Sequence, residues 1–232
     1  MWLEKGTYFV TSNHVLFSDN KLMSNKAKLL SYSSRDSLKS EISTELDLKK
    51  LFEAGMIKND IVNDVLAISL EGNDTSRALK FIDGVSVTYE SNKELSIMCV
   101  SNSYVKLFKD VLIGNDMFMF GYPKSIGIQN IPQIDYKRPL IKKGIIAGKN
   151  LSSKKIILDC EVYYGNSGGL VLELDQSWTR KEYKVIGVIS KFVPFAEVWD
   201  NKTHGYQNIE ISNSGYSIAT PIDFVIMLIE SF

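Results

Sequence analysis

The sequence contains very little histidine, cysteine and proline. Its 232 residues include 2 His, 2 Cys and 5 Pro. Two cysteines, Cys99 and Cys160, are too few for a disulfide framework, and we expect both to be buried free thiols. Two histidines are too few for a histidine-built metal centre, so we expect no metal and no cofactor. A catalytic base that acts near neutral pH must then come from a very short set of side chains.

The sequence also lacks an excess of charge of either sign and any long hydrophobic run. There are 27 Lys and Arg residues against 27 Asp and Glu residues, which gives no electrostatic basis for binding nucleic acid or an anionic membrane surface. The longest apolar run, residues 224–229, is far shorter than the roughly 20 residues that span a bilayer. The chain opens without the basic start and apolar core of a signal peptide. We therefore expect a cytoplasmic protein that binds neither nucleic acid nor membrane.

The residues that are abundant predict an all-β fold. Short segments rich in Val, Ile, Tyr and Phe alternate with clusters of Gly, Asn, Ser and Asp, which is typical of a barrel or sandwich. The candidate strands are Gly6–Thr11, Ala27–Tyr32, Val65–Leu70, Val85–Tyr89, Glu94–Ser101, Met117–Tyr122, Lys142–Ala147, Lys155–Glu161, Gly169–Leu174 and Tyr183–Phe192. Strand signals are sparse around residues 106–115, so we divide the chain into β-rich halves at 1–105 and 106–219.

Two helices are predicted from capping patterns. Asp47 can cap a short helix that Gly55 ends, because Leu48, Leu51 and Phe52 recur at helical spacing. Thr220, Pro221 and Asp223 have the form of a helix start, and apolar residues then recur on one face. We expect a C-terminal helix over residues 220–232.

Three segments carry residue types suited to nucleophilic acyl transfer. His14 follows an apolar run, Asp64 directly precedes an apolar strand, and Ser167 lies within Gly-Asn-Ser-Gly-Gly. A serine hydroxyl needs a base to take its proton, and an imidazole needs a carboxylate to orient it and to stabilise its charge. The glycines let successive N–H groups of residues 165–167 face one concavity, so the N–H groups of Gly165 and Ser167, on either side of Asn166, would form an oxyanion hole.

The order and spacing of these residues resemble the trypsin-like (chymotrypsin-fold) serine peptidases, especially the bacterial, HtrA-like branch. The gaps are 50 residues from His14 to Asp64 and 103 from Asp64 to Ser167. The resemblance covers nearly the whole chain and implies two packed six-stranded Greek-key β-barrels with the triad in the cleft between them. It further implies a serine endopeptidase that hydrolyses a protein or peptide substrate through an acyl-enzyme. Residues 186–190 resemble the strand that pairs with the substrate backbone.

The sequence departs from the family pattern in two informative places. Only thirteen residues precede His14. The first barrel is therefore expected to lack its opening strand, unless another segment or chain fills the gap. Asn166 stands where zymogen-type members carry an acid, so activation by an ion pair to a new N-terminus is not expected.

The sequence says less about which substrate side chain the pocket accepts than about the catalytic residues. Glu161, six residues before the serine, corresponds to the base of the substrate pocket in this family. Either its carboxylate points inward and favours Lys or Arg in the substrate, or it turns outward and leaves an apolar pocket. The other residues that the resemblance implies for substrate binding are Ser190, Lys191, Phe192, Gly215 and Tyr216.

Several alternatives stay open at this stage. Asp60 is the alternative to Asp64 as the carboxylate that orients His14. His204 lies in a polar stretch and is interpreted as a surface-loop residue. In place of an active peptidase, the chain could be an inactive module that holds a peptide or partner protein in its cleft. A third hypothesis is a latent protease that a regulatory partner completes.

Overall fold

The computed structural model describes residues 2–3, 6–32, 41–71, 81–88, 99–122, 131–176, 181–201 and 203–232. Strands dominate these residues, and the all-β prediction is confirmed. The chain forms two compact units. The first unit contains residues 1–105 together with 222–232, and the second contains residues 106–221.

The first unit is built from antiparallel sheets. Its described strands are β1 (Trp2–Leu3), β2 (Gly6–Thr11), β3 (Phe17–Ser18), β4 (Lys21–Leu22), β5 (Lys26–Tyr32), β6 (Glu41–Asp47), β7 (Ile57–Asp60), β8 (Val65–Ser69) and β9 (Val85–Thr88). They form a four-stranded sheet β1-β2-β8-β7, a three-stranded sheet β5-β6-β9 and the hairpin β3-β4. The predicted strand Glu94–Ser101 lies mostly outside the described residues.

Strand β8 is the centre of this unit. All five of its residues are buried, and it pairs with β2 on one side and β7 on the other. A continuous apolar run is what a strand covered on both faces requires. The turns at the ends of β2 and β8 are therefore held on a well-packed sheet.

Two helices complete the first unit. Helix α1 (Leu48–Glu53) follows the predicted cap, since the Asp47 carboxylate accepts from the backbone N–H of Lys50 at 3.0 Å. Helix α2 (Ile222–Glu230) packs on β7 and β8 through buried Ile222, Val225 and Ile229. It begins later than residue 220, because Thr220 and Pro221 end the preceding strand.

The second unit is a closed six-stranded barrel. Its strands are β10 (Asp116–Gly121), β11 (Leu140–Asn150), β12 (Lys155–Asp159), β13 (Leu170–Gln176), β14 (Lys181–Asn201) and β15 (Tyr206–Pro221). They close in the order β10-β11-β12-β15-β14-β13. The interior is filled by apolar side chains that include Met117, Met119, Ile146, Ile156, Leu158, Ile186 and Ile189.

One buried carboxylate interrupts this apolar lining. Glu173 of β13 is fully buried, and its Oε1 lies 2.8 Å from the Lys106 ammonium and 2.6 Å from the Asn115 side-chain amide. Lys106 also reaches Asp175 at 3.1 Å. Burial lowers the pKa of Lys106, but the hydrogen bonds that its ammonium donates to Glu173 and Asp175, together with their charges, outweigh that effect and leave the pKa above its ordinary value. The ammonium of Lys106 is thus the counter-charge of the buried Glu173 carboxylate.

Strands β14 and β15 continue as a long hairpin beyond the barrel. Residues 194–201 pair with residues 206–213, and every described position over 194–200 and 203–212 is exposed. We call this segment, residues 194–213, the arm. His204 lies exposed near its tip. The strand prediction ended at Phe192 and did not anticipate the arm.

Candidate functional site

His14 is carried on a short 3-10 turn at the end of β2. The turn spans Asn13–Val15 and follows the fully buried Ser12. The Asn59 side-chain amide donates to the Asn13 side-chain oxygen at 2.8 Å, which ties this turn to β7. These contacts fix the backbone from which the imidazole projects.

Asp64 lies at the start of β8 in a left-handed backbone conformation, with φ of 57°. Asn63, just before it, donates to the Asp60 carboxylate through its backbone N–H at 2.9 Å and its side-chain amide at 2.7 Å. A left-handed residue is uncommon outside glycine, and Asp is one of the types that tolerate it. Asp60 therefore shapes the turn, whereas Asp64 faces His14.

The structure brings His14 and Asp64 into direct contact. The imidazole Nδ1 lies 3.0 Å from Asp64 Oδ1 and 2.9 Å from Oδ2, and the His14 backbone N–H donates to Oδ1 at 3.1 Å. Because an ionised carboxylate only accepts hydrogen bonds, Nδ1 carries the proton and Nε2 is left as the basic nitrogen. The side chains are 49% and 23% exposed, respectively.

The carboxylate makes the imidazole more basic. The hydrogen bond from His14 to Asp64 is the main cause that raises the pKa of His14, and the charge of Asp64 adds to it. Partial burial of the ring acts in the opposite direction but does not cancel the rise. The pair thus has the arrangement in which a carboxylate orients an imidazole and stabilises its protonated form.

Ser167 lies, partly buried, on a tight loop of the second unit. Gly165 and Gly168 on either side of it adopt left-handed φ values of 93° and 77°. The Gly168 N–H donates to the Ile189 carbonyl at 2.8 Å, and the Ile189 N–H donates to Gly169 at 2.9 Å. The glycine loop is thereby attached to β14.

Asn166 organises the same loop from within. Its side-chain oxygen accepts from the Tyr163 N–H at 2.8 Å, and its own N–H donates to the Tyr163 carbonyl at 3.0 Å. A Cβ at Gly121 would overlap the Asn166 amide, so a glycine is needed at that point of β10. The Asn166 N–H is thus used inside the loop, and Gly165 and Ser167 are the two candidate oxyanion donors.

Glu161 is exposed at the surface of the second unit. Its carboxylate accepts from the Tyr163 hydroxyl at 2.6 Å, and this bond raises the pKa of Tyr163. The Lys142 ammonium lies 4.8 Å from the centre of the Tyr163 ring and donates to the Glu161 carbonyl at 2.5 Å. The carboxylate for which the sequence left an inward and an outward orientation open is thus exposed and bonded to the Tyr163 hydroxyl.

The remaining substrate-binding candidates lie on β14 and β15. Ser190 is buried and Lys191 exposed, and Phe192 packs against the barrel core and edge-on to Tyr164. Across from them, Gly215 has a φ of 86° and Tyr216 is 45% exposed.

Asn213 is a residue of this region that the sequence analysis missed. Its side-chain amide donates to the Val162 carbonyl at 2.8 Å, and its side-chain oxygen accepts from the Gly215 N–H at 3.0 Å. It thereby joins the segment before the serine loop to residues 213–216 of β15, where the pairing with β14 shifts register. Asn-Ser-Gly at 213–215 indicates a turn in sequence, but nothing in it indicates this partner.

The candidate residues fall into two sets. His14 and Asp64 belong to the first unit, whereas Ser167, the oxyanion donors and the substrate-binding candidates belong to the second. Among the described residues, no group of three or more His, Cys, Asp and Glu side chains is placed to hold a metal ion. No helix in the described ranges is long and apolar enough to cross a bilayer.

Comparison with known proteins gave matches only among solved structures. No family model and no curated protein matches the chain. The chain is similar to the HtrA-type protease AlgW in a structure with a tripeptide, at 14% identity and a TM-score of 0.43, covering 99% of this chain and 53% of that one. A structure of AlgW with a decapeptide matches at 14% identity and a TM-score of 0.45, covering 99% and 48%. The chain spans about half the length of these proteins.

Proposed function

We propose that the protein is a serine endopeptidase in which Ser167 is the nucleophile, His14 the general base and Asp64 the residue that orients it. The observation that carries the proposal is the contact of His14 Nδ1 with both oxygens of Asp64, at 3.0 and 2.9 Å, across 50 residues of sequence. A carboxylate held against Nδ1 leaves Nε2 as the nitrogen that can take a proton from a serine hydroxyl.

The proposed reaction proceeds through an acyl-enzyme. Nε2 of His14 takes the proton of Ser167 as Oγ attacks the peptide carbonyl carbon, and the resulting oxyanion accepts hydrogen bonds from the N–H groups of Gly165 and Ser167. The imidazolium then gives its proton to the leaving amine as the C–N bond breaks. Water, deprotonated by the same imidazole, attacks the ester and regenerates the serine hydroxyl.

The surroundings of Ser167 support this role. Glycines with positive φ on both sides place the residue on a sharp loop, and the Asn166 side chain holds that loop against Tyr163 and Gly121. Preorganised N–H donors of this kind contribute roughly 3 kcal/mol each to barrier lowering in acyl transfer. A serine in an ordinary turn would need none of these supports.

We propose that the pocket selects an apolar substrate side chain. The carboxylate of Glu161 is exposed and already accepts a hydrogen bond from the Tyr163 hydroxyl. Phe192, next to Tyr164, adds an aromatic wall. Both observations favour an outward-facing Glu161 and an apolar pocket over a pocket that selects Lys or Arg.

A cytoplasmic location is part of the proposal. Both cysteines are free thiols, and burial raises the pKa of Cys99 and of Cys160. A thiol whose pKa is raised is almost entirely protonated near neutral pH and is therefore unreactive. Free thiols persist in a reducing compartment.

Labelling with a fluorophosphonate probe tests the proposal directly. Because the probe reacts only with an activated serine, we expect labelling of the intact chain and none of the Ser167→Ala variant. His14→Ala should lose labelling as well, whereas His204→Ala, which removes the other histidine, should label normally. Mass spectrometry of a digested peptide library then reads the residue before each cleaved bond.

The same experiment separates the peptidase from an inactive peptide-binding module. Failure of the intact chain to react with the probe, or equal labelling of the Ser167→Ala variant, would reject the peptidase. Retention of peptide binding without cleavage would then establish the binding module. Labelling that appears only on addition of another protein would identify a latent enzyme.

A further inference from the structure

The arm exposes large apolar side chains to solvent. Six large apolar residues in it, Phe195, Val198, Trp199, Tyr206, Ile209 and Ile211, are between 50 and 68% exposed. A two-stranded hairpin with both faces in water is marginally stable by itself. Exposed apolar side chains grouped on one segment are typical of an interaction site. The question is then which face of the arm carries which residues.

The register of the arm sorts its residues onto two different faces. Residues directly opposite each other share a face, and successive residues alternate between faces. One face carries aliphatic pairs, Val198 opposite Ile209 and Ala196 opposite Ile211. The other face, which we call the aromatic-acidic face, carries Phe195, Glu197 and Trp199 on β14 and Glu210 on β15.

Two carboxylates oppose each other in the middle of the aromatic-acidic face. Glu197 pairs with Glu210 across the strands, and Phe195 and Trp199 lie two residues before and after Glu197 on the same face. Like charges directly opposite in an antiparallel pair destabilise it. A cation placed between the two carboxylates removes this repulsion, and the flanking aromatic rings offer apolar contact and cation–π interaction to its stem.

We propose that the aromatic-acidic face docks an extended protein segment in which an arginine or lysine has an apolar residue two positions before it and another two positions after it, because these three side chains share one face of the segment. The cation would lie between Glu197 and Glu210, and the apolar residues on either side would pack on Phe195 and Trp199. A second copy of this chain does not fit this face, because a two-fold contact would bring four carboxylates together. A nucleic acid does not fit either, since its phosphates would meet the same carboxylates.

This docking does not depend on hydrolysis by Ser167. The arm belongs to β14 and β15, and its described side chains at 194–200 and 203–212 are separate in sequence from the glycine loop at residues 165–169. The docking proposal and the peptidase proposal can therefore fail separately.

The experiment uses a fluorescein-labelled peptide that repeats Leu-Ser-Arg-Ser, so that leucine and arginine share one face, and measures fluorescence anisotropy with the full chain. The Ser167→Ala variant serves as the host, so that the peptide stays intact. We expect saturable binding that weakens with added salt, and no binding of the matched peptide that repeats Leu-Ser-Glu-Ser. Trp199→Ala is expected to weaken binding about tenfold, as for an exposed aromatic anchor.

A pair of charge reversals on the same arm provides the decisive comparison. Glu197→Lys should weaken binding about fivefold or more, whereas Asp200→Lys should change it by less than about twofold. Both variants alter the charge equally, but Asp200 lies on the aliphatic face, opposite Gln207. Circular dichroism verifies the fold of each variant, and Glu197→Gln replaces Glu197→Lys if the reversal disturbs the hairpin.

Two results would overturn the proposal. The first is absence of binding of the leucine–arginine peptide, and the second is an equal effect of Glu197→Lys and Asp200→Lys on its binding.

Discussion

The imidazole of His14 receives two kinds of support from one carboxylate. Asp64 orients the ring through Nδ1, and it also accepts from the backbone N–H of the same residue. The second bond fixes the carboxylate relative to the main chain, so a small shift of the ring does not release it. The raised pKa of His14 is the measurable consequence of this arrangement.

Replacement of Asp64 by asparagine tests this arrangement with little change to the backbone. Asparagine tolerates the left-handed conformation that residue 64 adopts, so the turn should persist. We expect the pKa of His14 to fall toward the ordinary value of about 6.5, because the charge and the charge-assisted hydrogen bond are lost. The measurement is an NMR titration of the imidazole C–H signals, with His204→Gln to assign them.

The same variant has a defined effect on stability. Because the folded-state pKa of His14 is raised, its pairing stabilises the chain fully below about pH 6.5 and loses that contribution as pH rises through the raised value. Asp64→Asn should therefore lower the free energy of unfolding more in mildly acidic than in alkaline buffer. An unchanged titration of His14, or an equal loss at both pH values, would contradict the pairing.

The sequence predicts those residues of the site whose side-chain type identifies them, but not those that act through contacts made only in the folded chain. Few side chains can act as base, carboxylate and nucleophile, so His14, Asp64 and Ser167 stand out by type and order. Asn213 acts through a side-chain amide whose partner, Val162, lies 51 residues earlier in the sequence and becomes a neighbour only in the folded chain. Asparagine in a glycine-rich turn carries no sequence signal for such a partner.

At the level of elements, Glu173 of β13 places a buried carboxylate in the barrel, and a buried charge requires a partner of opposite charge. Its charge depends on Lys106, which lies just before the first strand of that unit and is 11% exposed. Removing one partner of a buried pair leaves the other charge uncompensated. The segment before β10 is thus held to the barrel by electrostatics and by the Lys106 N–H bond to Val185 at 2.9 Å.

Substitution of Lys106 by methionine should be costly. Methionine keeps most of the side-chain volume but removes the ammonium that faces Glu173, so we expect a loss of about 3 kcal/mol in the free energy of unfolding. Urea denaturation measures it. Lys143→Met is the matched control, because its ion pair with Asp116 is more exposed and worth less than about 1 kcal/mol. Equal effects of the two substitutions would show that Glu173 does not need Lys106.

Strand prediction succeeded where apolar residues are continuous or alternate, and failed where pairing alone defines the strand. β2 has the predicted bounds, and β8 agrees within one residue. β7, with the sequence Ile-Lys-Asn-Asp, has one buried residue and exists because it pairs with β8. In the arm, Pro194 indicates a strand end because it lacks an N–H, yet β14 continues past it after a register shift.

At the scale of the whole molecule, the first unit is assembled from both ends of the chain. Residues 222–232 return to it after the barrel has been completed. The ring of Phe232 lies 5.4 Å from that of Tyr8 on β2, and the Lys58 ammonium lies 4.9 Å from the centre of the Phe232 ring. Strands β7 and β8, which precede and follow the Asp64 turn, thus depend on the last residues of the sequence.

A substitution in α2 should therefore affect the unit that contains His14 and Asp64. Ile229 is fully buried, so Ile229→Ala removes apolar contact from the helix face that packs on β7 and β8 and should cost about 2–4 kcal/mol. Met227 is 64% exposed on the same helix, and Met227→Ala is the matched control. Hydrogen-exchange mass spectrometry should show lost protection of β7 and β8 in Ile229→Ala, while β10 to β13 keep theirs. If Met227→Ala has the same effect, or if the loss is confined to the barrel strands, α2 does not support the sheet on which the Asp64 turn rests.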